Sequence, residues 1–238
     1  MKVVILAGGY GTRISEETKK IPKPMVKING IPIICYIIKH YSYYNFNEFI
    51  ILSGYKHKLL KNYFEKNKIF NTKIKVVNTG LSANTGQRIQ KIKKLINTNH
   101  FLLTYGDGIS NINISELVKF YFKRKKNIDL LMTVVRPQAR FGKVKIINNR
   151  VEKFEEKNQL NEGWINGGFF VCSKKIFKYF KNINNPIFEV DILPKIAKNK
   201  KFYAYKHNSF WYCMDTLRDK INLDKIMKKI KFTWKLKI

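Results

Sequence analysis

The stretch Lys2-Val3-Val4-Ile5-Leu6-Ala7-Gly8-Gly9-Tyr10-Gly11-Thr12-Arg13 decides the fold. Its first half is a short continuous apolar run, the pattern of a strand buried on both faces, as in a parallel sheet between helices. Its second half is a glycine-rich turn that ends in an arginine. In an open α/β sheet, ligands bind beyond the carboxyl ends of the strands, where this turn falls. A turn of this kind exposes backbone N–H groups that suit polyphosphate oxygens. Glycine permits the positive φ angles and close approach that such a turn needs, and Arg13 can fork onto phosphate oxygens. A tight strand-to-helix connection is the plainer alternative; the arginine immediately after it favours phosphate. The dinucleotide pattern G-x-G-x-x-G, begun at Gly9, would need glycine where Ile14 stands, and no P-loop lysine follows the first glycine at the right spacing.

Outward from this turn, strand and helix patterns alternate. Helical periodicity covers Pro32–Tyr44, Lys56–Lys66, Gly86–Ile96 and Ile114–Arg124. Strand patterns cover Glu48–Leu52, Lys73–Val77, His100–Thr104 and Asp129–Val135. The alternation predicts a Rossmann-like α/β fold, a mostly parallel central sheet flanked by helices. After Arg136 the pattern changes. Gly142–Ile147, Val151–Phe154 and Gly168–Cys172 read as added strands, a small β lobe forming a lid over the core sheet. A helix near Glu189–Lys198, a strand at Phe202–Tyr205 and a last helix over Thr216–Ile230 follow, then a basic and apolar tail, Lys231–Ile238. With no linker, repeat or low-complexity block, the expectation is a single domain. It comprises a core over 1–135, an added lobe over 136–215, and a terminal helix and tail over 216–238.

Composition narrows the class. The chain has 238 residues and 45% hydrophobic content, enough to fill a sizeable core. No apolar run approaches the roughly 18 residues of a membrane helix. Gly8 and Gly9 end the first apolar run too early for a signal peptide, so a cytoplasmic protein is expected. Three dispersed cysteines with no C-x-x-C spacing argue against a disulfide framework or a zinc site. The net charge of +31 points towards nucleic acid when read alone. The lysines, however, are spread along the whole chain beside Asn, Ile, Phe and Tyr, a compositional pattern, and no nucleic-acid module is recognisable. No nucleic-acid or membrane partner is expected.

Four further segments carry chemistry. In Pro22-Lys23-Pro24 two prolines fix the backbone around one lysine and pre-organise its ammonium near the turn. Asp107 follows the His100–Thr104 strand directly and so falls at the same sheet edge. Asp215 precedes the last helix. Asp107 also reads as a turn residue in Gly-Asp-Gly. Asp215 also reads as a helix cap, unless Thr216 caps the helix with Asp219 completing a capping box. Mg²⁺ takes one or two carboxylates with phosphates and waters, a need this pair of aspartates suits. Arg88, at the start of a helix, also reads as a solvated surface residue.

These motifs resemble the sugar-1-phosphate nucleotidylyltransferases, whose opening signature is LAGGxGTR followed by PKP, and most of all their glucose-1-phosphate cytidylyltransferase branch. The likeness continues in Ser15-Glu16-Glu17-Thr18, Thr104-Tyr105-Gly106-Asp107-Gly108, Arg140-Phe141-Gly142, Glu156-Lys157, Ile165-Asn166-Gly167-Gly168-Phe169-Phe170, Phe210-Trp211 and Met214-Asp215-Thr216-Leu217-Arg218-Asp219. It spans nearly the whole chain in order. The chain departs from that branch in being shorter between Tyr55 and Thr79, in Asn158 after Glu-Lys, and in Gln87 before Arg88.

The resemblance implies a glycosyltransferase-A-like fold and transfer of a nucleotidyl group, CMP from CTP in the nearest branch, to a sugar 1-phosphate. It implies a nucleotide site of Leu6, Ala7, Gly8, Gly9, Gly11, Thr12, Arg13, Lys23, Gly86, Arg88 and Thr104. The acceptor would meet Tyr105, Glu156, Lys157, Asn166 and Gly167, with Trp211 a second aromatic wall. Asp107 and Asp215 would hold Mg²⁺, and Arg13, Lys23 and Asp107 would serve catalysis. Family members are often homo-oligomers; the sequence leaves that state open. No histidine stands at metal or triad spacing, and neither Ser15 nor Ser53 sits in a nucleophile elbow, so no covalent intermediate is expected.

Overall fold

The computed structural model describes residues 1–123, 128–137, 143–155 and 163–230. In chain order, β1 (Val3–Ala7) leads through a short 3₁₀ turn to α1 (Ser15–Thr18), β2 (Lys27–Ile28) and β3 (Ile31–Pro32). Then come α2 (Ile33–Tyr43), β4 (Glu48–Ser53), α3 (His57–Lys66), β5 (Lys73–Asn78), α4 (Thr85–Lys91) and β6 (His100–Tyr105). β7 (Gly108–Ser110), α5 (Ile114–Lys123), β8 (Leu130–Val135), β9 (Lys143–Ile147), β10 (Arg150–Glu155) and β11 (Ile165–Ser173) follow. The described part ends with α6 (Leu193–Lys198), β12 (Phe202–His207), β13 (Trp211–Cys213) and α7 (Leu217–Lys229).

The central sheet has seven strands in the order β12-β8-β11-β6-β1-β4-β5. β1 pairs in parallel with both β4 and β6, β4 with β5, and β8 with β12. β11 alone runs antiparallel, between β6 and β8. The inner strands are buried on both faces, which explains their continuous apolar runs. Val4, Leu6, Ile50, Leu52, Phe101 and Leu103 face one side, against Ile89 and Ile92 and against Phe188, Ile192 and Ile196. Val3, Ile5, Ala7, Phe49, Ile51 and Leu102 face the other, against Ile34, Ile37, Ile38 and Tyr41 of α2 and Leu117 and Tyr121 of α5. A third cluster, with Ile14, Ile28, Tyr36, Tyr212, Met214, Leu223 and Met227, seats α7 beside β13 and the β2–β3 hairpin. β1 lies between β4 and β6, and the chain crosses it on the way from β5 to β6. The carboxyl end of β1 is therefore a topological switch point, where open α/β sheets bind ligands.

Three expectations need correction. The Gly168–Cys172 strand is not part of a lid. It belongs to β11, whose residues from 167 to 173 are all buried, and only a place inside the central sheet covers both of its faces. Among the described residues, the expected lobe strands that lie outside the central sheet are those of the β9–β10 hairpin, with a register shift between Val151 and Lys153. β12 likewise joins the central sheet as its edge strand. Secondly, the helix expected over Gly86–Ile96 ends at Lys91 and tightens into a 3₁₀ turn, Lys93–Leu95. Ile92 N bonds to Ile89 O and Leu95 N to Ile92 O, a three-residue spacing that brings both Ile92 and Ile96 into the core. Thirdly, the helix expected from Glu189 begins as a π-type turn, Phe188–Ile192, before α6. Cys35 and Cys172 are buried and Cys213 is half-buried. Among the described residues no helix is long and apolar enough to cross a membrane.

Candidate active site

A cleft of about 440 Å³ opens at the carboxyl end of β1. Its walls are residues 6–13 of the glycine turn, Lys23 and Pro24, residues 81–85 before and at the start of α4, Arg88, and residues 105–107 after β6. All the expected backbone contacts of the first motif, Leu6, Ala7, Gly8, Gly9, Gly11 and Thr12, are in this wall with Arg13 and Lys23. Gly11 takes a left-handed φ of 68°, and a Cβ there would also fall 2.8 Å from Thr18 Cγ2. Thr18 itself closes the turn, its hydroxyl donating to Gly11 O at 3.0 Å.

Lys23 begins a 3₁₀ turn, Lys23–Met25, entered from Pro22 in an extended conformation. Its ammonium donates to Asp107 Oδ2 at 2.6 Å and Asp215 Oδ1 at 2.7 Å. Burial would lower its pKa, but the two carboxylates outweigh burial and hold it well above the ordinary lysine value. The aspartates meet because β7 and β13 form an antiparallel ribbon in which Gly108 faces Cys213, and Met214 N bonds to Asp107 O at 3.0 Å. Arg13 adds a 2.7 Å bond to Asp215 Oδ2. Its side chain is 73% exposed, so this pair holds it weakly and leaves it able to turn to a ligand.

The cap alternative for Asp215 is settled by α7. Thr216 is the N-cap and Asp219 completes the capping box. Asp215 is left to the site. Asp107, Asp215 and Cys213 place one ligand atom each within 4.8 Å of one another. Burial, with the two nearby carboxylates, pushes the Cys213 thiol up. The two carboxylates offer hard oxygen donors of the kind that suit Mg²⁺. The Lys23 ammonium between them already marks a place where positive charge is favoured.

The structure also places three further residues of the expected nucleotide site. Arg88 is 4% exposed, so it is no solvated helix start, and it lines the cleft. Its guanidinium donates to five oxygens. Nη1 donates to Ser53 O at 3.2 Å, Thr79 Oγ1 at 2.6 Å and Gly80 O at 2.8 Å, and Nη2 to Gly8 O at 2.9 Å and Leu81 O at 3.4 Å. It braces the glycine turn from behind. Gly8 is glycine for the same reason, since a Cβ there would fall 2.2 Å from Arg88 Nη1. Gly86 is a packing glycine; its Cβ would fall 2.7 Å from Pro186 O. Thr104 is 1% exposed and lies in the body of β6, away from the cleft wall.

On the acceptor side, Tyr105 lines the cleft and accepts a 3.0 Å hydrogen bond from Asn166 Nδ2. Gly167 O accepts from Trp211 Nε1 at 2.7 Å, so Trp211 braces β11 and is not part of the cleft wall. Glu156 and Lys157, like Arg140-Phe141-Gly142 and the Lys231–Ile238 tail, lie outside the described residues. The sequence reading missed Glu189, whose carboxylate accepts hydrogen bonds from both Tyr105 and Thr85. Its only signal was that it is one of just 16 acidic residues in a basic chain.

The geometry is that of a glycine-rich turn beside a carboxylate pair bridged by a lysine. The nucleotidyl transferase family model matches residues 2–224 of the chain. The chain belongs to the nucleotidyl transferase family. A probable glucose-1-phosphate cytidylyltransferase of Bacillus subtilis is 36% identical over 256 aligned residues, covering 99% of this chain and 100% of the relative. The glucose-1-phosphate cytidylyltransferase of Salmonella typhimurium is 36% identical over 257, covering 99% of each. Among solved structures, HddC from Yersinia pseudotuberculosis, also seen in complex with GMP-PN, superposes with a TM-score of 0.73 at 26% identity, covering 94% of this chain and 98% of that one. A putative glucose-1-phosphate thymidylyltransferase from Bacillus anthracis shares the fold, with a TM-score of 0.77 at 19% identity and coverage of 98% and 97%. For a nucleotidyl transferase the cleft has a direct meaning. The glycine turn lines one part of it, and the Lys23–Asp107–Asp215 cluster sits at its edge.

Proposed function

We propose that the chain transfers CMP from CTP to a sugar 1-phosphate, glucose 1-phosphate in the first instance, with Mg²⁺, releasing pyrophosphate and a nucleotide-sugar. The observation that carries this reading is the Lys23 ammonium held between Asp107 and Asp215 at the edge of the glycine-turn cleft. The two relatives at 36% identity, both named for glucose 1-phosphate and a cytidylyl group, supply the substrate pair.

The acceptor's phosphate oxygen attacks the α-phosphorus in line and pyrophosphate leaves. No general base is needed, because a phosphate monoester is already an anion at neutral pH. Catalysis is then positioning and stabilisation of charge. The N–H groups of residues 8–12 hold the β- and γ-phosphates, and Arg13 swings from Asp215 onto the departing pyrophosphate. Lys23 moves from the carboxylates to the α-phosphate. Asp107 and Asp215 would hold the metal, which when bound supplies further positive charge beside the α-phosphate. Tyr105 and Asn166 orient the acceptor, and Lys157 neutralises its phosphate.

The test is a screen of the four nucleoside triphosphates against glucose 1-phosphate, mannose 1-phosphate, a heptose 1-phosphate and inositol 1-phosphate, followed by pyrophosphate release. CTP with glucose 1-phosphate is expected to give the highest kcat/KM. GTP with the heptose phosphate, or CTP with the inositol phosphate, turning over faster would replace this substrate assignment.

A further inference from the structure

Glu189 stands behind the cleft wall and connects its two sides. It comes from the π-type turn Phe188–Ile192, a local geometry that recurs at functional sites. Its Oε1 accepts a hydrogen bond from the Tyr105 hydroxyl at 2.5 Å, and its Oε2 accepts one from Thr85 Oγ1 at 2.6 Å. Both donors line the cleft and Glu189 does not. Each donor is also an acceptor. The Tyr105 hydroxyl receives Asn166 Nδ2 at 3.0 Å, and Thr85 Oγ1 receives Phe188 N at 2.9 Å. Asn166 Oδ1 in turn receives Gly168 N at 2.8 Å. One continuous hydrogen-bonded chain thus runs from β11 through Tyr105 and Glu189 to the first residue of α4. Residues 81–84, immediately before Thr85, also line the cleft.

We propose that Glu189 is a positioning residue that couples the nucleotide half of the cleft to the acceptor half. The division into halves rests on the function proposed above. The carboxylate accepts from one hydroxyl at each oxygen and donates to neither. Tyr105 already accepts from Asn166, so its hydroxyl proton must go to an acceptor, and the same holds for Thr85 with Phe188 N. Glutamine keeps the shape but presents a donor to one of these hydroxyls, and that hydroxyl's proton then loses its partner. The frame loosens at both ends, because each end is set against the other. Ordering one half by its ligand favours the other half, and the effect is reciprocal.

The experiment compares wild type, Glu189→Gln, Tyr105→Phe and the double variant. Triphosphate affinity is measured by calorimetry with each of the four nucleoside triphosphates and no acceptor present. KM for the acceptor is measured with the pair that turns over fastest in the screen above, and thermal stability is recorded alongside. Glu189→Gln is expected to weaken triphosphate binding and to raise the acceptor KM, each by at least about fivefold, the lower end of coupling between sites. Its melting temperature should stay within about 3 °C of wild type, a small shift for a chain of this size. The double variant should be no worse than the worse single one, as expected for residues acting as one unit. A rise in acceptor KM with unchanged triphosphate binding would confine Glu189 to one half and overturn the coupling. Unchanged binding and KM would overturn it outright, as would effects that multiply in the double variant. Calorimetry needs no acceptor and no named base, so a failed substrate assignment and a failed coupling give different results.

Discussion

Lys23 and Asp215 each serve more than one partner, and their variants separate those roles. Lys23 bonds to two carboxylates, Asp107 and Asp215, and in the proposed reaction it turns to the α-phosphate. Lys23→Ala is expected to lower kcat by about 10²–10³, the scale of one preorganised charge contact. Lys61→Ala, in an exposed pair with Glu65, should leave steady-state turnover unchanged. Equal losses would mean that overall positive charge matters and the placed ammonium does not. Asp215→Asn should cost turnover on the same scale while the fold stays intact. Thr216→Ala should do the reverse, costing about 0.5–2 kcal/mol of stability through the lost cap with turnover near wild type. Urea unfolding and kcat measured on both variants decide it, and a stable but fully active Asp215→Asn would contradict the site. Lys23 was legible in the sequence because two prolines fix it. The rank of Asp215 was not, because a cap and a ligand both precede a helix; only the Thr216–Asp219 box tells them apart.

At the level of elements, the glycine turn depends on α4. The Arg88 guanidinium joins the ends of β1, β4 and β5 by bonding Gly8, Ser53, Thr79, Gly80 and Leu81. Arg88→Lys offers one point donor where a fork was needed and leaves buried carbonyls unpaired at about 1–3 kcal/mol each. The expected outcome is a loss of stability together with a raised KM for the triphosphate, read from thermal unfolding and initial rates. Unchanged stability with lost turnover would make Arg88 a direct ligand instead. The sequence shows an arginine at a helix start, and periodicity has no means of telling a buried brace from a solvated surface residue. β11 was misread for a related reason. An apolar run shows that both faces are covered but not which strands flank it, and an antiparallel insertion between β6 and β8 comes from pairing across distant parts of the chain. The β1 run, the glycine turn and the alternation through β8 were legible because each is a local pattern.

For the whole molecule, the charge of +31 is distributed over helices and loops in every part of the sequence. A duplex site needs its cations gathered on one face, and the described cleft is a small concave space. Labelled mixed-sequence DNA, titrated at about 150 mM salt where exposed charges beyond roughly 8 Å are screened, should bind no more tightly than the ordinary non-specific range of about 10⁻⁴–10⁻⁶ M. Sub-micromolar binding that a triphosphate competes away would put nucleic acid in the cleft. The central claim, transfer of a nucleotidyl group from a triphosphate to a phosphorylated acceptor, is tested most directly by following an α-phosphorus label and pyrophosphate together. Reactions are run with and without acceptor, and with Mg²⁺ or a chelator. Pyrophosphate release is expected only when triphosphate, acceptor and Mg²⁺ are all present, with the label recovered quantitatively in the diphosphate linkage formed with the acceptor's phosphate. Pyrophosphate or inorganic phosphate released at the same rate without acceptor, with the label left in free nucleotide, would contradict it.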